Sequence, residues 1–473
     1  MIFLKNNFEM QKLKEKSYIR AGGMWVFVLA VWLLFGGNLA QAQQILTLDS
    51  CRAMAVENNK LLKAESYKQQ QAEAKLREVN INFFPKVSLQ GAFVHMDKPV
   101  KLVDWDNMLG PFNILVPPMI RSLTTIDLDN IWVGNATLIQ PLFMGGKIVA
   151  GHHMAAKAVS LSKTMAETKR TEVEQQVEET YWQVVTLKSK ESLLIQLIKL
   201  LDDAVNDVDI AIKEGVATKA DGLTIRVKRS EAEQNLLKVQ NGLYLSRMLL
   251  AQQCGMGLNA DYQVADEVDL EIMNIDTEVQ APMDSMELNR KVELRSEIRS
   301  LRLADTLFKH KERMETAAML PKLALVGTYT TSKPNLFSAP RNNFDGTWGI
   351  ALVMQVPITD IFTGVEKRKQ AHAERMVKQQ ELAEAHEKIS LQIKQTLLNN
   401  QEAHKQMSAA RLNLNRAQEN LRYAQIGYRE GVIPLLNLTG AQTAWAQAHD
   451  NLIDAVVALR LSECKIKHVI PQE

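Results

Sequence analysis

The chain has 473 residues, 46% of them apolar, enough for one large core or several domains. Its 56 basic and 54 acidic residues leave a net +2, so no basic field invites nucleic acid and no acidic tail stands out. Aromatics are only 6%, while Ala, Gln, Leu and Lys dominate long stretches, a composition for long helices.

Lys12, Lys14, Lys16 and Arg20 precede an apolar run, MWVFVLAVWLLF, at 24–35. The run is short for a transmembrane helix, and Ala40-Gln41-Ala42 supplies the small residues of a cleavage site. A signal peptide is therefore expected over 1–42, with Met10 a second candidate start. Cys51 lies too far past the run to be a lipid-modified first residue. With Cys254 and Cys464 it makes an odd, sparse set that does not read as a disulfide framework. No later segment offers the ~20 apolar residues of a spanning helix, so any membrane crossing falls to strands.

From residue 43 the pattern reads helix, strand, loop, strand, long helix, break, helix. Strands are expected over about 86–97 and 130–142, a long helix over 147–213 and a second over 219–252, closing a first unit at 253. In the first strand Val87, Leu89 and Phe93 alternate with Ser88 and Gln90, one apolar face against one polar face. The loop at 98–129 has an apolar middle, with Met108 and Met119, and suits either a plug over the mouth or a contact with a surface partner. Along the long helix Tyr181, Val184, Leu187, Leu194, Ile198, Leu201, Val205, Val208 and Ile212 recur at threes and fours, a heptad seam. Its length, near 67 residues, is about 100 Å at the helical rise.

Residues 254–286 read as a linker. A second unit, 287–464, repeats the order: a helix, strands over about 321–331 and 346–357, a long helix over 364–430, a helix over 434–464 and a tail over 465–473. Gly215 and Gly431, each within Glu-Gly-Val, lie 216 residues apart, as do Trp132 and Trp348, and Pro141 and Pro357. The second seam, Ala403, Met407, Ala410, Leu414, Ala417, Leu421, Ala424 and Tyr428, keeps the same register. Pro85 and Pro321 are 236 apart, so the first copy carries twenty extra residues in its loop. The chain is an internal duplication.

In each copy two strands flank a loop on one side and join helices on the other. All four helix attachments therefore point the same way. Four strands alone would expose unpaired edges to lipid, so they must close with strands of other copies. Two, three or four copies close; three give twelve strands, within the range of outer-membrane barrels. Phe93, Trp132, Tyr329 and Trp348 are expected near strand ends, as an aromatic girdle against outer-membrane lipid.

The layout resembles the TolC family of outer-membrane efflux proteins over essentially all of the mature chain. The residues that carry the likeness are FFPKVSLQG and MLPKLAL at the first strand of each copy, IQPLFMGGK and VPITDIFTG after the second, and EGVATKADGL and EGVIPLLNL at the breaks. The resemblance implies a mixed α+β membrane protein: a homotrimer with a twelve-stranded β-barrel, four strands per protomer, continued by a long α-helical coiled-coil barrel into the periplasm. It implies a periplasmic adaptor and an inner-membrane transporter as partners. The breaks become hairpin tips at the periplasmic mouth, and Gly215, Val216, Ala217, Thr218, Gly431, Val432, Ile433 and Pro434 the adaptor-docking surface. Gly ends each helix because left-handed φ costs it nothing, and Pro434 suits the first turn of the next. The family often places acidic residues at the mouth; here Asn437 and Gly440 stand at those positions. Asp221, the first-copy counterpart of Asn437, either rings the mouth with charge or caps its own helix.

No residues carry enzyme chemistry. His-Glu-x-x-His, Cys-x-x-Cys, a P-loop and Gly-x-Ser-x-Gly are all missing from the sequence, and no cofactor or metal site is expected. His152 and His153 are helix neighbours pointing in different directions. Arg429 and Glu430 read as a solvated pair or as a contact with a neighbouring protomer. Two functions stand: a passive export duct, and an outer-membrane coiled-coil protein with a structural or adhesive role. The sequence does not say which substrate would pass.

Overall fold

The computed structural model describes residues 44–97, 100–101, 103–126, 130–267, 283–335 and 343–471. The expected signal peptide and much of the linker lie outside these. The chain begins with β1 (Gln44–Leu46), α1 (Leu48–Asn58) and α2 (Lys60–Ile81), then β2 (Lys86–His95). The loop carries β3 (Val100–Lys101), α3 (Trp105–Leu109), a 3-10 turn, α4 (Pro118–Thr124) and β4 (Thr125–Ile126). Next come β5 (Asn130–Phe143), α5 (Lys147–Lys213), α6 (Lys219–Gln253) and β6 (Tyr262–Val264). The second copy holds α7 (Ser285–Leu294), α8 (Ser296–Ala318), β7 (Lys322–Lys333), β8 (Asp345–Gln355), α9 (Asp360–Arg429) and α10 (Leu435–Val469).

The long first helix runs over 147–213 as expected. Its counterpart starts four residues earlier than read, at Asp360. The largest departure is at the C-terminus. The expected tail at 465–473 is helical to Val469, and α10 matches α6 end for end at the 216-residue offset. The extra turn is held by packing. Val469 joins a small core of Leu288, Val292, Ile298, Ile389, Ile393 and Leu397. The Arg295 guanidinium donates to the carbonyls of His468 and Val469 at 3.0 and 3.1 Å, capping the helix with positive charge where its dipole is negative.

Both heptad seams face the core, with Leu187, Ile198, Val205 and Ile212 of the first and Ala417 and Tyr428 of the second half-buried. Tyr181, Val184, Leu201 and Val208 from α5 join Ala403, Met407, Ala410, Leu414 and Leu421 from α9 in one extended core, completed by α6 and α10. The small Ala positions allow the helices to approach closely. Helix α10 packs on both long helices, and α8 also lies between them. By the repeat, α6 and α2 should each have a second long-helix neighbour, but within one chain they pack on α5 alone. Their uncovered sides leave apolar residues exposed, Leu61, Tyr67 and Ile81 on α2 and Leu223, Val227 and Leu245 on α6. Leu237 on α6 is exposed, whereas Ile453, its counterpart on α10, is buried.

One four-stranded antiparallel sheet has the order β2-β5-β7-β8, so the two copies join between β5 and β7. The register sorts the side chains onto two faces. Val87, Leu89, Phe93, Trp132, Leu138, Tyr329, Trp348, Ile350 and Leu352 share one face, and all are exposed. The other face is crossed by two small or polar rungs running through all four strands. These are Ser88, Thr137, Thr328 and Gly349, then Gln90, Asn135, Thr330 and Thr347. Strands β2 and β8 leave the sheet with an open edge on each side. Among the described residues, no helix is long and apolar enough to cross a membrane.

Candidate functional site

The two helix breaks have one geometry. At the first, Gly215 has φ +75°, its N–H donates to the Ile212 carbonyl at 3.1 Å, and the Val216 N–H donates to Ala211 at 2.9 Å. At the second, Gly431 has φ +71°, its N–H donates to Tyr428 at 3.0 Å, and the Val432 N–H donates to Gly427 at 2.8 Å. These are Schellman turns, and the left-handed residue is glycine in both because a Cβ is disfavoured there.

Restart differs between the copies. Thr218 caps α6 in a reciprocal box. The Asp221 N–H donates to Thr218 Oγ1 at 3.2 Å, and the Thr218 N–H and hydroxyl donate to Asp221 Oδ2 at 2.9 and 2.7 Å. Those bonds, side chain first, hold the Asp221 carboxyl below its ordinary range. Asp221 is thus engaged in capping. Pro434 sits one position earlier than expected, as the N-cap of α10, and supplies no side-chain cap. The Asn437 N–H bonds back to the Pro434 carbonyl at 3.0 Å. Asn437 and Gly440 are exposed.

The expected docking residues divide. Val216 and Val432 stand out at 81% and 77% exposure, with Thr218 and Pro434 exposed beside them. Ala217 and Ile433 are half-buried, Ile433 against the bundle core. Gly222 makes room for Ile212: a Cβ there would lie 2.9 Å from Ile212 Cδ1.

Sequence reasoning missed what joins the two tips. Arg429 pairs with Asp207 of α5 at 3.2 Å, a bond between the two repeats in which the arginine stays 63% exposed. The Tyr428 hydroxyl is buried without a hydrogen-bond partner. Its pKa is raised, by burial first and then by the carboxylates of Asp221 and Asp207. The only sequence signal was the place of Tyr428 at the end of the seam.

At the opposite end, Phe93 and Trp132 pair across β2 and β5 with ring centroids 4.5 Å apart. Tyr329 and Trp348 pair across β7 and β8, on the same face but four rungs closer to the helices. Phe93 and Trp132 are each third from a strand end, Trp348 is the fourth residue of β8, and Tyr329 lies four residues before the end of β7. Gly346 leaves space for Tyr329, whose hydroxyl would lie 2.5 Å from a Cβ at that position.

His153 stacks on His310 with centroids 5.2 Å apart, and His152 hydrogen-bonds Asn80 at 2.7 Å, yet the two neighbouring rings still meet edge to face with centroids 5.5 Å apart. Among the described residues, no cluster of three His, Cys, Asp or Glu side chains could hold a metal ion.

The sequence profile of the outer membrane efflux protein family matches residues 52–255 and 292–467. Several solved structures share the fold. The outer-membrane channel OprN superposes with a TM-score of 0.74 at 14% identity, covering 89% of each chain. CusC, described in terms of folding and transmembrane channel formation, gives 0.73 at 14% identity, over 91% of this chain and 94% of its own. The CmeC outer membrane channel of Campylobacter jejuni gives 0.73 at 16% identity, over 89% and 85%. No curated protein matched by sequence.

Proposed function

The chain belongs to the outer membrane efflux protein family, and we propose that it is the passive exit duct of a tripartite efflux or secretion system. It is an outer-membrane protein whose long helices form a tunnel in the periplasm. The observation that carries the duct reading is the sheet. One face is apolar and exposed, as lipid requires, and the other is crossed by polar rungs. Its two open edges need partners, and three copies would close a twelve-stranded barrel. The exposed apolar residues of α6 and α2 would be covered by α9 of the next copy, as α10 and α8 are covered within the chain.

In this reading the duct performs no bond chemistry; a transporter in the inner membrane supplies energy and selects the substrate. A periplasmic adaptor docks on the tips through Val216, Ala217, Thr218, Val432 and Pro434, with Gly215 and Gly431 setting the turns and Ile433 bracing the second against the core. Asp221, with Asn437 and Gly440, lines the periplasmic mouth. Three Asp221 carboxylates facing one axis would favour cations. Phe93, Trp132, Tyr329 and Trp348 meet the lipid.

The test is in-cell photo-crosslinking from Val216, which is 81% exposed. Capture of a periplasmic adaptor is the expected result. Capture of only other copies of this chain, from correctly inserted oligomers, would overturn adaptor docking at this turn.

A further inference from the structure

Helix α1 is short, yet Cys51 and Ala55 on its inner face are fully buried. They pack where α6 ends. Cys254 is the C-cap residue of α6 and is also 0% exposed. Its thiol donates to the Cys51 carbonyl oxygen at 3.7 Å. The neighbouring Cys254 thiol, together with burial, pushes the Cys51 thiol pKa up. The surroundings leave little slack. Gly255, at φ +75°, lies so close to α1 that a Cβ would stand 2.4 Å from Asn58 Cβ. Asn59 Nδ2 donates to the Gln253 carbonyl at 3.5 Å. On the other side β1 pairs in parallel with β6, Gln44 with Tyr262 and Leu46 with Val264. Cys464, on α10, accepts from an Arg52 nitrogen at 3.9 Å.

We propose that Cys51 and Cys254 are joined by a disulfide in the exported protein, stapling the N-terminal segment to the end of α6. The proposal rests on the periplasmic position of the helical part, where disulfides persist, and not on the duct or docking reading. The sequence could not suggest it, because 203 residues separate the two cysteines and the third spoils the count.

The oxidant is a disulfide-carrying thiol oxidoreductase of the periplasm. One cysteine thiolate attacks the oxidant's disulfide and forms a mixed disulfide, releasing one oxidant thiolate. The second cysteine then attacks the mixed disulfide and expels the other. Two S–H bonds are replaced by one S–S bond, and the two electrons and two protons pass to the oxidant, which leaves as a dithiol. Neither sulfur is accessible once α1 has docked, so exchange precedes docking. The bond then fixes a long loop that would otherwise have to be closed by packing alone.

The full chain, in outer membranes from acid-quenched cells, would be denatured and labelled with a mass-tagged maleimide before any reduction. One tag per chain, on Cys464, is expected, rising to three after reduction. Peptide mapping should show a reductant-sensitive link between Cys51 and Cys254. In Cys254→Ser, two tags are expected without reduction. Three tags on the unreduced native chain, or a bridge that includes Cys464, would overturn the proposal.

Discussion

The guanidinium of Arg429 lies 3.2 Å from the carboxylate of Asp207, tying the last turn of one long helix to its counterpart from the other copy. The pair is partly exposed, so it contributes only about 0–1 kcal/mol to stability and weakens with salt. Its effect should appear in the mouth instead. Arg429→Ala and Asp207→Ala should each raise single-channel conductance in a planar bilayer, while the melting of the protein stays nearly unchanged. Equal conductance in wild type and both variants would remove the pair from any role in holding the mouth.

Gly431 has open space around its Cα, so substitution there meets backbone strain and no clash. A β-branched residue at φ +71° should cost on the order of 1–3 kcal/mol, confined to the turn. Gly431→Val is expected to abolish export at normal outer-membrane abundance. Gly431→Asn, which tolerates left-handed backbone, should retain most of it. Export assays with immunoblots of membrane fractions separate these cases, and full export by the Val variant would show that the tip tolerates distortion.

Asp221 has a depressed pKa because Thr218 hydrogen-bonds its carboxylate. The sign follows: its capping contribution is complete above the unfolded Asp value near ~3.9 and is lost as pH falls through the lower folded value. Cation preference, read from reversal potentials, should therefore survive acidification past the ordinary Asp range. Thr218→Ala should move the midpoint of that loss to higher pH, and Asp221→Asn should abolish the preference at every pH.

Glu178 is 1% exposed and binds Arg52 at 2.6 Å and His468 at 2.7 Å, joining α1, α5 and α10. Burial alone would raise its pKa, but His468 and Arg52 outweigh burial and hold it low. Glu178→Ala would leave His468 without its carboxylate and Arg52 with only the exposed Asp49 at 2.6 Å, a loss of roughly 3–5 kcal/mol. Urea or thermal unfolding of the purified protein measures it. In the wild type, this contribution should be present above about pH 4.3 and fade as pH falls through the lower folded value. A variant that melts like wild type at neutral pH would mean that water replaces the lost partner.

Much of this architecture is written in short windows of sequence. Heptad spacing placed α5 over 147–213, because burial of one helical stripe is a local pattern. Alternation placed the strands to within a residue or two, and the duplicated glycines marked both turns, because left-handed φ is a demand on a single residue. What tertiary structure alone decided are the pairings between distant segments. The β5–β7 junction, the β1–β6 pairing, the Glu178 cluster, the meeting of Cys51 with Cys254 and the Arg429–Asp207 bond each join residues far apart in the chain. The last turn of α10 belongs with them. Lys465, Lys467 and His468 read as a polar tail, and only the pocket around Val469 and the reach of Arg295 make it helix. Local periodicity fixes which face a residue presents; which partner meets that face depends on how the whole chain is threaded.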